Sequence, residues 1–260
     1  MNRALISVLN TQFEPYDGLA VAVSGGVDSS LLLAAACEYY GANNCLAVIA
    51  VSPSLGACEL EAARSLCQQL DVELVELQSN EIENPAYVAT DGTRCYWCKQ
   101  ELFKLAIPVA AQRGLPLAYG ENYDDLKQPR AGRKSAEQNR ILAPLRTAKF
   151  TKEDVRMYAR FLNLQVADKP AAPCLASRIA VGQAVSLDSL NIVASVETQL
   201  RELGYKVFRS RVIGTAELAF EFSDNELERA ESQRLQLTEL AASHHCQLLS
   251  IAAYRSGSVA

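Results

Sequence analysis

Hydrophobic positions in the first half of the chain fall into two alternating patterns. Residues 19–23, Leu-Ala-Val-Ala-Val, form a continuous apolar run of strand length. A Ser/Gly turn follows, then an Ala- and Leu-rich stretch over residues 29–40 that reads as a helix stopped at Gly41. The unit recurs: residues 45–51 read as a buried strand, 59–70 as an amphipathic helix, 72–77 as a strand, 98–113 as a helix and 115–119 as a strand. Strands alternating with helices predict a parallel sheet covered on both faces. Residues 121–140 are polar and follow neither period, which predicts a loop over the site. Thr151-Lys152-Glu153-Asp154 has the form of a capping box and predicts a helix over 152–163. Pro170 and Pro173 then interrupt regular structure. Beyond them come a helix over 187–203 stopped by Gly204, strands over 205–213 and 216–222 joined at Gly214, a helix over 225–244 and a strand over 247–252. The expected architecture is α/β, with a parallel-sheet domain over residues 1–175 and a smaller C-terminal α+β domain over 176–260.

Composition narrows the function classes. The chain has 260 residues, 49% hydrophobic and 21% charged, which excludes a disordered or low-complexity protein. Its net charge of −5 and lack of a basic block leave no electrostatic footprint for nucleic acid, so a nucleic-acid partner is not expected. The longest apolar runs, 31–37 and 105–111, fall far short of the ~18–20 residues of a membrane span. With no leader-like segment at the start, a cytoplasmic protein without a membrane partner is expected. The eight cysteines are then expected to be reduced thiols. Cys37, Cys45, Cys58, Cys67 and Cys246 sit in strand or helix patterns and read as small buried hydrophobes.

Two groups of residues carry chemistry. Ser24-Gly25-Gly26-Val27-Asp28-Ser29 joins the first strand to the first helix, where unpaired N–H groups and the positive end of the helix dipole favour an anion. Gly25 and Gly26 permit positive φ and close backbone approach, and Ser24 and Ser29 add hydroxyls. Asp28 would repel a bare phosphate, so it calls for a bridging Mg2+ ion or for a role in orienting amides. The absence of Gly-Lys-Ser/Thr excludes the loop that serves γ-phosphate transfer. An ordinary Ser/Gly turn is the bland alternative. The second group is Cys95-Tyr96-Trp97-Cys98 with Cys174, and spacing leaves its chemistry open. A dithiol redox pair, a zinc site or a 4Fe-4S cluster held by three thiolates all compete with simple packing.

The loop of residues 24–29 resembles that of the PP-loop ATP pyrophosphatases, which have the adenine nucleotide alpha hydrolase-like fold. That resemblance implies ATP as cofactor, its pyrophosphate held by Ser24, Gly25, Gly26, Asp28 and Ser29. It also implies adenine contacts at Ala22, Ser52 and Gly120, and attack of a substrate oxygen on the α-phosphate. Arg94-Cys95-Tyr96-Trp97-Cys98-Lys99, the stretch Asp168-Lys169-Pro170 with Pro173-Cys174-Leu175-Ala176-Ser177-Arg178, and the tail Tyr254-Arg255-Ser256-Gly257-Ser258 are together similar to the LarE family, the sulfur insertases of nickel-pincer cofactor synthesis.

The LarE resemblance implies an ATP-dependent, AMP- and pyrophosphate-forming sulfurtransferase that converts a carboxylate to a thiocarboxylate. Cys95, Cys98 and Cys174 would hold a 4Fe-4S cluster carrying an extra sulfide. In the family's other form, the cysteine at the Cys174 position gives up its own sulfur. The family's substrate is a pyridinium biscarboxylate mononucleotide, so the expected partner is a small nucleotide-like carboxylate. Arg178, Arg209 and Arg211 are candidates to clamp it, the last two being i, i+2 on a strand and thus on one face. Glu197 and Glu221 would orient the arginines or hold a divalent cation. A solvated charged strand edge is the bland reading of Arg209, Arg211, Glu197 and Glu221.

Two segments depart from the family pattern: Asp124-Asp125-Leu126-Lys127-Gln128-Pro129-Arg130-Ala131-Gly132, and Leu218-Ala219-Phe220-Glu221, which lacks an arginine. An ammonia-using amide synthetase of the NAD synthase or GMP synthetase kind shares the loop and is the alternative enzyme; a metal-binding scaffold with a vestigial nucleotide site is the non-catalytic one. The sulfur source is left open, and a homo-oligomer is expected, with the second domain serving substrate binding and assembly.

Overall fold

A computed structural model describes residues 3–89, 92–127 and 131–255. The sequence motif residues Gln128, Pro129, Arg130, Ser256, Gly257 and Ser258 lie outside the described residues. The elements in chain order begin α1 (Arg3–Thr11), β1 (Leu19–Ala22), α2 (Val27–Tyr40), β2 (Cys45–Val51), α3 (Ala57–Leu70), β3 (Leu74–Gln78) and α4 (Pro85–Val88). They continue with α5 (Arg94–Gln112), β4 (Leu117–Tyr119), α6 (Ala131–Gln138), α7 (Pro144–Thr147), α8 (Lys152–Phe161) and α9 (Leu187–Glu202). The last are β5 (Phe208–Ile213), β6 (Glu217–Phe222), α10 (Asp224–Ser232), α11 (Arg234–Ser243) and β7 (Gln247–Ala253). Among the described residues no helix is long and apolar enough to cross a membrane.

The chain forms two compact units. The first comprises residues 1–81 and 95–172, the second residues 82–94 and 173–260. The division near residue 172 lies close to the expected one at 175, but the excursion through 82–94 has no sequence counterpart. It joins the second unit because Tyr87 is buried and the Val185 N–H donates to the Val88 carbonyl at 3.0 Å.

In the first unit four strands form an all-parallel sheet in the order β3-β2-β1-β4, the α/β arrangement expected of a PP-loop-like domain. Strand residues alternate between its faces: Leu19, Val21, Cys45, Ala47 and Ile49 enter one core cluster, and Ala20, Ala22, Leu46 and Val48 the other. Both faces are covered, so the strands are apolar throughout. Helix α2 buries Leu31, Leu32 and Leu33 completely, each contributing about 1.5–3 kcal/mol. The chain leaves β1 toward β2 on one side while β4 flanks β1 on the other, so the strand order reverses at β1 and β4, the position beyond whose carboxyl ends open α/β sheets place a ligand crevice.

In the second unit β5 pairs antiparallel with β6, and β6 pairs parallel with β7. Helix α9 turns Leu190, Val193, Val196 and Leu200 inward at helical spacing.

Three elements correct the sequence reading. The supposed loop over 121–140 contains a 3-10 turn at Tyr123–Lys127 and helix α6. The buried face of α6 is Gly132, Ser135 and Ala136, too small and polar to register as hydrophobic periodicity. The helix expected over 225–244 breaks at Gln233, whose side chain accepts the Tyr205 hydroxyl proton at 2.7 Å. Helix α5 starts at Arg94, so the Cys95–Cys98 motif lies within the helix rather than before it.

Candidate functional site

The turn between β1 and α2 is braced from inside. The Ser24 N–H donates to Ser29 Oγ at 3.1 Å, the two hydroxyls meet at 3.2 Å, and Ser29 Oγ donates to the Gly26 carbonyl at 3.2 Å. Gly25 is left-handed (φ +70°), and a Cβ there would lie 2.3 Å from the Glu59 carbonyl oxygen. Gly26, by contrast, is extended (φ −94°, ψ 159°) and serves as the helix cap. Gly120, just past β4, packs against the first turn of α2, where a Cβ would lie 2.4 Å from the Ser29 nitrogen. This close approach fixes β4 beside the loop. The first-turn N–H groups of α2 have no acceptor within the helix, the arrangement that at other helix starts favours an anion.

Charges surround this loop. Asp28 Oδ1 accepts from Asn122 Nδ2 at 2.9 Å, and Oδ2 pairs with Lys152 Nζ at 2.5 Å. Lys152 opens α8, held there by the observed Thr151–Asp154 capping box and by its own N–H, which donates to Asp124 Oδ2 at 2.8 Å. Lys127, followed by that backbone donor, holds the Asp124 carboxyl below its usual range. Lys169 Nζ donates to the Gly25 carbonyl at 3.1 Å and to Glu59 Oε2 at 2.7 Å. Both Asp28 oxygens carry partners here, but its side chain is 20% exposed and a carboxylate oxygen is the hard donor that Mg2+ takes beside phosphate and water, so Asp28 fits that ion once Lys152 yields.

Further along the crevice, Glu121 is 4% exposed. It accepts from Arg133 Nε at 2.9 Å, Arg146 Nη1 at 2.8 Å and the Tyr119 hydroxyl at 2.6 Å. Burial, reinforced by Glu121, pushes the Tyr119 phenol up. At the end of β1, Ala22 is buried. Past β2, Ser52 Oγ lies 3.0 Å from Ser54 Oγ, which donates to buried Glu81 at 2.7 Å.

Cys95 and Cys98 stand one turn apart at the start of α5 in the first unit, Cys95 exposed and Cys98 half-buried. Gly132 of α6 packs there, where a Cβ would be 3.3 Å from the Cys95 carbonyl. Cys174 is exposed and belongs to the second unit. Among the described residues no three or more His, Cys, Asp or Glu side chains gather as a metal-holding group. Three thiols nonetheless have the donor chemistry that an iron–sulfur cluster takes.

The arginines of the second unit are largely engaged. Arg178 is 2% exposed and grips Glu197 with two bonds, Nε to Oε1 at 2.7 Å and Nη2 to Oε2 at 3.0 Å. Its Nη1 donates to the carbonyls of Pro173 at 2.6 Å and Cys174 at 3.3 Å, which fixes the chain around Cys174. Arg211 forms a two-bond pair with Glu221, at 3.1 and 2.9 Å, and donates to the Ser177 carbonyl at 2.9 Å. Arg209 lies on the same face of β5, buried, 4.8 Å from the Tyr254 ring centroid. Burial, followed by the nearby Arg178 charge, lowers its guanidinium from the ordinary range.

No family model matches the chain. An uncharacterized protein of Synechocystis, slr1717, is 38% identical over 200 residues, covering 76% of this chain and 74% of the relative. The chain belongs to the family of slr1717. A second relative, 28% identical across 74% of this chain and 70% of its own length, is the pyridinium-3,5-bisthiocarboxylic acid mononucleotide synthase of Lactiplantibacillus plantarum. The uncharacterized protein MJ0830 of Methanocaldococcus jannaschii is 25% identical over 76% of each chain. The synthase relative supports the LarE resemblance and an enzymatic role for this branch of the family.

Lys152, Asn122, Glu121, Arg133 and Arg146 were not signalled by the sequence patterns as members of the site. Asp28 offered an indirect clue, because a carboxylate on a phosphate-type loop requires a nearby cation. Cys58, expected to be buried, is exposed because it occupies the outward first turn of α3.

Alkylation at pH 8 should therefore modify Cys58, Cys95 and Cys174 first, as read by peptide mass spectrometry. Cys67, which burial pushes up to about 11, should resist until denaturant is added. Cys37 should resist too, raised by its contact with Cys45 and then by burial. Equal labelling of Cys67 and Cys58 would contradict the described packing.

Proposed function

We propose that the protein is an ATP-dependent sulfurtransferase that adenylates a substrate carboxylate and converts it to a thiocarboxylate. The carrying observation is the Gly25-kinked loop at the mouth of α2, with Asp28 beside it and Gly120 packed against it, in a chain related to a named thiocarboxylate-forming synthase. Ser24, Gly25, Gly26 and Ser29 would hold the pyrophosphate of ATP, and Asp28 a Mg2+ ion. Ala22, Ser52 and Gly120 would border the adenosine. A carboxylate oxygen attacks the α-phosphorus and pyrophosphate leaves; a sulfur nucleophile then attacks the acyl carbon and AMP leaves. The first step is needed because a free carboxylate is a poor electrophile, and water must be kept from the mixed anhydride.

Cys95, Cys98 and Cys174 would hold a 4Fe-4S cluster, which when bound supplies a sulfide as the nucleophile. Arg209 and Arg211, with Glu221, would meet the substrate's anionic groups; Arg178 and Glu197 would set the backbone that carries Cys174. A second reading draws on the exposure of Cys174 and the anchoring of its carbonyl. Here Cys174 Sγ attacks the acyl carbon, and loss of the Cα proton then breaks its Cβ–Sγ bond, leaving dehydroalanine and the thiocarboxylate.

The test uses anaerobically purified protein with Mg·ATP and pyridinium biscarboxylate mononucleotide. AMP, pyrophosphate and thiocarboxylate should appear together and depend on the carboxylate. ADP as product, or no carboxylate dependence, would overturn the reading. A band near ~400 nm with about four irons per chain favours the cluster, and a colourless active protein favours the Cys174 donor.

A further inference from the structure

Asp28 poses an electrostatic problem that the structure answers with a residue from a distant part of the chain. If the loop takes pyrophosphate, a carboxylate stands among phosphate oxygens, and its charge must be cancelled both before and during binding. The group that cancels it is Lys152, whose Nζ lies 2.5 Å from Asp28 Oδ2. We propose that Lys152 is a pyrophosphate ligand held ready by Asp28. With a divalent cation held at the Asp28 oxygen, the Lys152 ammonium would pass from the carboxylate to the phosphate oxygens beside it. The proposal rests on reading the loop as a pyrophosphate site and adds a residue that reading does not contain.

Four observations support the exchange. The base of Lys152 is fixed, with its backbone N–H on Asp124 and the capping box beneath it, so only the flexible side chain has to move. The Lys152 side chain is 36% exposed and Asp28 is 20% exposed, so both remain within reach of a ligand. Neither group is sealed in the core, so the pair can open without stranding a fully buried charge. Asn122 keeps Asp28 Oδ1 oriented when the lysine leaves. Lys169 differs: its ammonium is shared between the Gly25 carbonyl and Glu59 and braces the loop instead. An ammonium on a four-carbon stem suits such a handover, because it binds phosphate as a point charge and needs no fixed fork geometry.

The proposal makes two measurements on the full-length chain move in opposite directions. Lys152→Met removes a competitor for the Asp28 carboxylate, so Mn2+ alone, followed by electron paramagnetic resonance as a stand-in for Mg2+, should bind about threefold tighter or more. Inorganic pyrophosphate with Mg2+, followed by calorimetry, should bind about tenfold weaker or worse. Lys152→Arg should restore most of the pyrophosphate affinity, and circular dichroism should show all three proteins folded alike. A purely structural lysine would weaken both ligands or neither, and either result overturns the proposal, as does unchanged pyrophosphate affinity. Wild-type protein that binds neither pyrophosphate nor ATP would instead sink the reading of the loop itself, and this proposal with it.

Discussion

Cys174→Ala should form no thiocarboxylate, a fall of about a thousandfold or more, the scale on which loss of a nucleophile acts. Pyrophosphate release should persist, because adenylation uses the loop of the first unit whereas the thiol belongs to the second. The expected product is AMP with unchanged carboxylate, as water slowly takes the place of sulfur. With wild-type protein, the number of turnovers separates the two sulfur routes: a sacrificial Cys174 stops after one per chain, and a cluster resupplied with sulfide does not. Turnover of Cys174→Ala to an amide with ammonia would reassign the enzyme to the amide-forming synthetases that share the loop.

Glu197→Ala should cost about 3–5 kcal/mol of stability in the second unit, the penalty for stranding a buried charge. Arg178 and Glu197 are 2% and 1% exposed, and water has little access to replace the lost carboxylate. The Ser210 N–H, which donates to Glu197 Oε1 at 3.3 Å, loses its acceptor as well. The two units need not unfold together, so the loss should be read on the transition of the second unit alone. Replacing both partners, Arg178→Met with Glu197→Leu, should recover much of the stability because neither member of the pair is then stranded without the other. Recovery of stability without recovery of activity would show that Arg178 also sets the position of the Pro173 and Cys174 carbonyls. A change below about 0.5 kcal/mol for Glu197→Ala would mean the pair is not buried in solution.

How far the sequence could be read depended on whether the relevant signal was local. Strand β2 (Cys45–Val51) matches its expected span, because a continuous apolar run between turn signals needs no tertiary information. The Thr151–Asp154 cap was equally visible, since both partners lie within four residues. Helix α6 was missed because its buried face is small and polar, and only its packing against α5 makes it a helix face. The excursion of residues 82–94 into the second unit was invisible because it is set by a long-range backbone bond, Val185 to Val88, that no local pattern announces.

The phosphate-type loop itself was readable as a motif, but the role of Gly120 was not. Its lack of a Cβ matters only because another strand end brings it onto the Ser29 backbone. The ion pair of Asp28 with Lys152 spans 124 residues and could not be seen from spacing. Arg178 read in sequence as a candidate substrate clamp, and its engagement by Glu197 on a separate helix was not visible there.

The account stands or falls on whether the loop after β1 holds the diphosphate of ATP, and calorimetry of ATP binding to wild-type and Gly25→Val protein tests this directly. At Gly25 a side chain meets the Glu59 backbone and a left-handed φ of +70°, so the substitution should displace the loop. Wild-type protein should give a saturable heat with Mg·ATP, and Gly25→Val, if folded by circular dichroism, should give none. Equal ATP affinity in the two folded proteins would contradict the account.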